Sequence, residues 1–150
     1  MPYSLLVMIH ASTMAAAVAL TVAGELLLLA ARSGRGGPAR AAFRTNRVGG
    51  VMAGIGVLSG IAVLVLGGWP LRTPWLLASL ALIAAMMVVE RCFVRPWQAL
   101  SAPILRRDTA GPGIRAVASD PRGLFGRVAV IALFAAIGAL MIVKPNLGGF

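Results

Sequence analysis

The chain has 150 residues, 59% of them hydrophobic and only 12% charged, with a mean hydropathy of +0.91. A soluble domain of this size needs roughly 25% charged residues to cover its surface, so the composition excludes an ordinary soluble fold, and without a Gly-X-Y period it excludes a fibrous one. The net charge of +10 would suggest nucleic acid in a soluble protein, but every basic residue except Lys144 is an Arg set between apolar runs, with no aromatic stacking platform beside it. That pattern argues against nucleic acid and for contact with the anionic headgroups of a lipid bilayer.

The first apolar run extends over residues 5–31, broken only by His10 and Glu25. It exceeds the ~20 residues that cross a ~30 Å hydrocarbon core, so it reads as a tilted span. A cleaved signal peptide would need a basic n-region, and MPYSLL carries no Lys or Arg. The Gly/Pro/Arg stretch from Arg32 to Arg47 is expected as a loop. The second span covers 48–66 and is closed by Gly67-Gly68-Trp69-Pro70; the third covers 75–94, interrupted late by Glu90-Arg91. A long polar stretch from Arg95 to Arg127 follows, with one interfacial piece near residues 97–105. The fourth run, 128–143, is short for a crossing, and Phe125 and a snorkelling Lys144 are expected to extend it. The expected fold is all-α: a polytopic membrane protein forming one four-transmembrane-helix bundle over residues 1–150.

Orientation follows from the arginines. Arg32, Arg35, Arg40, Arg44 and Arg47 follow span one, and seven more occur between Arg91 and Arg127, against only Arg72 and Lys144 on the other side. The positive-inside rule then places both Arg-rich segments in the cytoplasm and both termini outside, in a bacterial inner membrane. Trp69 and Trp75 are expected at the outer interface and Trp97 at the inner one. Span two carries two GxxxG pairs, Gly50/Gly54 and Gly56/Gly60, which let helix backbones approach closely. Gly49, Gly56, Gly60 and Gly67 share a stripe, with Gly50 and Gly54 roughly 120° away, so close neighbours are expected on two sides.

Few residues can carry chemistry. His10 lies inside the outer half of span one, where an imidazole must find a partner or a wet cavity. It is either bonded to a neighbouring carbonyl or to a hydroxyl such as that of Ser12, or it is an axial ligand to haem or a metal ligand. Met14, one turn further in, would shape such a pocket. A single His cannot supply bis-histidine ligation. Glu25, with Glu90 and Arg91 at a similar depth, is expected to form a polar intramembrane cluster, with Arg47 and Arg127 as further pairing candidates. It reads either as ion pairs fixing helix ends or as a proton-relay step. The single Cys92 forbids an internal disulfide. Phosphate-loop, HExxH and GxSxG motifs are missing, so there is no self-contained catalytic motif and only a cofactor-dependent redox role is open to an enzyme.

The first-span His in LLVMIHA, the GGWPLRTPWLLASLAL segment and the ending MIVKP at Met141–Pro145 resemble a bacterial family of four-span integral membrane proteins. Its layout is similar to that of CopD and HemJ-type membrane proteins. The resemblance implies haem or metal handling with His10 as ligand. Two functions from different classes are therefore expected. One is a membrane protein that holds haem or another tetrapyrrole at its outer half through His10, with Arg72 and Lys144 meeting propionates. The other is a non-enzymatic accessory or scaffold subunit that packs against its own copies or a partner membrane subunit through its glycine faces.

Overall fold

The computed structural model describes residues 2–70 and 72–143. Lys144, expected to extend the last span and to meet a propionate, lies outside the described residues. The described residues are almost entirely helical: α1 (Pro2–Ala31), α2 (Gly36–Leu66), α3 (Pro74–Val89), a π-helical segment (Glu90–Val94), α4 (Arg95–Arg107), α5 (Pro112–Ser119) and α6 (Pro121–Val143). Four helical stretches are long and apolar enough to cross a membrane, as expected: Tyr3–Ala31, Gly36–Leu66, Pro74–Arg107 and Pro121–Val143. Contacts divide the chain into two compact units, one of residues 1–69 and 108–118, the other of 70–107 and 119–150.

In the first unit, α1 and α2 form an antiparallel hairpin with a constant register. His10 lies at Gly60, Met14 at Gly56, Thr21 at Gly49 and Asn46 at Gly24, so facing residue numbers sum to 70. The same register puts Leu28 level with Ala42 and Ala31 level with Ala39, and all four are buried. Hydrophobicity cannot drive this pairing in lipid, where tails are as apolar as leucine; small residues that admit close contact can. Gly49, Gly56 and Gly60 are the half of the glycine pattern that is used. Gly50 and Gly54 meet no described residue of the unit within 4 Å, so the second close neighbour expected for span two is not seen there.

Residues 40–47 are helical rather than a loop. α2 begins at Gly36, and Arg40, Arg44 and Arg47 recur at helical spacing along its first turns. The linker is therefore a tight turn, with Gly34 at φ +85°, a conformation that favours glycine. A second turn clasps it: Gly36 N–H donates to the Thr109 carbonyl (3.0 Å), and Gly111 N–H donates to the Gly34 carbonyl (2.9 Å). Arg35 and Ala110 form an isolated antiparallel bridge between these bonds.

In the second unit, α3 and α6 pack together, and α6 also meets the π-helical segment. Pro96 explains that segment. A proline in a helix lacks an N–H and clashes with the carbonyl four residues back, here that of Cys92. The chain widens ahead of it, and Arg95 N–H donates to Glu90 C=O, five residues back. The wider turn also sets Glu90 and Arg95 on one face, where their side chains approach to 3.7 Å. α6 starts seven residues before the expected span, because Asp120 caps it: Oδ2 accepts from Gly123 N–H at 2.6 Å, with Pro121 at the first helical position. This early start supplies the length expected from Phe125 and Lys144. Trp97, expected at the inner interface, is packed within its unit: it is only 5% exposed, faces Gly123 and carries the Arg127 guanidinium 4.1 Å above its ring.

Candidate functional site around His10

His10 sits about 12 Å along α1 from its start. Its Nδ1 donates to the Gly56 carbonyl of α2 at 2.7 Å. A carbonyl only accepts, so Nδ1 carries a proton, and in the neutral ring Nε2 is the acceptor. Nε2 has no hydrogen bond among the described residues, and it does not belong to their buried unsatisfied polar atoms. The ring is thus tethered at one nitrogen and open at the other.

Two glycines make this possible. A Cβ at Gly60 would lie 2.9 Å from Cε1 and 3.0 Å from Nδ1 of His10, closer than side chains tolerate. A Cβ at Gly56 would collide with the Met14 sulfur and come within 3.3 Å of the Thr13 hydroxyl. Ser59, almost fully buried, donates its hydroxyl to the same Gly56 carbonyl at 3.0 Å. The neighbouring hydroxyls of α1 are not partners of the His10 ring. Ser12 donates to the Ile9 carbonyl (3.1 Å), and Thr13 to those of Ile9 (2.7 Å) and His10 (3.1 Å). Such back-bonding satisfies a hydroxyl within its own helix. Gly56 C=O and Ser59 were not legible as site residues from composition; the signal was the spacing of His10 and Met14 against Gly60 and Gly56, which only the antiparallel register reveals.

The donor set narrows the chemistry. No group of three His, Cys, Asp or Glu able to hold a metal ion occurs among the described residues. The Met14 sulfur packs onto Gly56 rather than lying free. One imidazole is a poor site for a bare ion, but it would suffice as the protein's donor to a tetrapyrrole, whose macrocycle brings its own four nitrogens. A donated Nδ1–H is also the arrangement that orients a ligating histidine and raises the basicity of Nε2.

Arg72 belongs to the second unit and is exposed. Glu25 belongs to the first unit, Glu90 and Arg91 to the second. The ion-pair partner of Glu90 is Arg95, not one of Arg47, Arg91 or Arg127, because the π turn brings position i+5 alongside. Comparison with protein-family models, with curated proteins and with solved structures finds no significant match to this chain.

Proposed function

We propose that this is a small multi-pass protein of the bacterial inner membrane that holds haem or another tetrapyrrole through His10, with its arginine-rich segments in the cytoplasm. The observation that supports the reading is the 2.7 Å bond from His10 Nδ1 to Gly56 C=O, which fixes the tautomer and leaves Nε2 open as a single donor. His10 would hold the iron, and Gly60, by lacking a side chain, leaves room for the imidazole beside α2. A bound tetrapyrrole would supply redox or ligand-binding chemistry.

The test is the absorption spectrum of protein purified in mild detergent from haem-replete cells. Wild type should show a Soret band. His10→Ala should abolish it with the fold intact, and His10→Gln should too, because Gln keeps the hydrogen bond but coordinates iron poorly. A colourless wild type, or a band unchanged in both variants, refutes the reading. The second reading, a non-enzymatic accessory or scaffold subunit, is favoured by the open Gly50/Gly54 face of α2. A colourless but monodisperse oligomer that dissociates on Gly54→Leu would support it.

A further inference from the structure

The clasped end of the α1–α2 hairpin concentrates arginines around a single clasp carboxylate, Asp108. Arg32, Arg35, Arg44, Arg47 and Arg115 are exposed and form no ion pair among the described residues. Arg40 is tied through Nη1 only to the carbonyl of Asp108, at 3.3 Å. The two turns bring guanidinium groups from distant segments together. Arg115 Nη2 lies 3.8 Å from where a Cβ of Gly34 would sit, and Arg40 Nη1 lies 3.2 Å from that of Gly36. Exposed Arg35 stands between those glycines. Two guanidinium groups thus lie at one tripeptide whose central residue is a third, exposed arginine, and a guanidinium presents a planar fork suited to the oxygens of a phosphate.

The surface beside them is apolar. By the hairpin register, Arg44 is level with Leu26 of α1 and Ala41 with Leu29, and those leucines are 62% and 47% exposed. A free phosphate would use only the arginines. An amphiphile with an anionic head and hydrocarbon tails would use both surfaces, and the apolar run of α1 ends at this level. We propose that this end of the hairpin is a binding site for an anionic phospholipid. The phosphate is held by Arg35, Arg40 and Arg115 at the clasp, and the acyl chains lie along Leu26 and Leu29.

The test uses the full chain in nanodiscs of equal parts phosphatidylglycerol and phosphatidylcholine, with retained lipid counted by native mass spectrometry after transfer to detergent. Wild type should retain phosphatidylglycerol in strong preference. The double variant Arg35→Gln/Arg115→Gln should weaken that retention roughly 30-fold, since each basic residue near an anionic surface contributes about 1 kcal/mol and 1.4 kcal/mol is tenfold. The backbone bonds of the clasp do not involve these side chains, and an unchanged melting temperature in pure phosphatidylcholine checks that the fold survives. Arg106→Gln/Arg107→Gln removes the same charge from the second unit and should leave retention within threefold of wild type. Equal retention of both lipids, or equal loss in the two double variants, overturns the proposal by reducing it to net charge. Displacement of the lipid by millimolar inorganic phosphate overturns it in favour of a free-anion site.

Discussion

Replacing Gly60 by Ala tests the contact on which the His10 geometry depends. The added Cβ would lie 2.9 Å from Cε1 and 3.0 Å from Nδ1 of the imidazole, against an ordinary limit of 3.4 Å, so the ring must retreat by about half an ångström. It cannot do so freely, because Nδ1 is held 2.7 Å from the Gly56 carbonyl. Losing such a bond between membrane helices costs about 0.6 kcal/mol on average and about 1.7 at most. Overpacking a fitted contact adds about 1–3 kcal/mol. Ala also improves the helix by about 0.8–1 kcal/mol, and Gly54→Ala, whose Cβ meets no described residue of the unit, gains the same without a clash. The difference between the two variants cancels propensity and isolates the contact, and it should be about 1–3 kcal/mol in favour of Gly54→Ala. Reversible unfolding in mixed micelles measures both. Stabilities within about 0.5 kcal/mol of each other would show that His10 does not rest on Gly60, and the α1–α2 register would then be wrong.

Other outcomes follow from the same structure. Trp97→Ala should destabilise the protein by about 3 kcal/mol or more in the same assay, because the ring fills the space over Gly123 beneath Arg127; a change near zero would contradict that packing role. Asp120→Ala should cost about 1 kcal/mol by removing the cap on Gly123 N–H, and Asp120→Asn should recover most of it; equal losses in both would contradict the capping role. Leu58→Ala, at a position 70% exposed on α2, should leave stability unchanged within about 0.5 kcal/mol. Topology reporters inserted at Gly37 and Gly113 should report the same side, since the clasp joins those turns, and that side should be cytoplasmic; one at Gly68, beyond the far end of α2, should report the opposite side.

The all-α class and the four membrane-length helices were legible in the sequence, because in lipid every backbone polar group must be satisfied within its own segment. A run of about 20 apolar residues is then almost a complete instruction. The useful stripe of Gly49, Gly56 and Gly60 was legible too, since helical periodicity reports which residues share a face. Helix starts were less so. The arginines of α2 and the first turns of α6 look polar enough for loops, yet the clasp and the Asp120 cap carry the helices through them.

Only the tertiary structure decided what each face meets. Periodicity names a face but not its partner, so nothing in the chain order tells that His10 belongs with Gly60, or that the Gly50/Gly54 face meets no described residue of its unit. The same holds for Trp97. Its aromatic, amphipathic character fits a membrane interface, but only the fold shows that its ring lies over Gly123 beneath Arg127. The state of His10 was likewise undetermined. An imidazole has two nitrogens, and which one keeps its proton is set by a carbonyl 46 residues away, which the chain brings within 2.7 Å only when α1 and α2 close on their glycines.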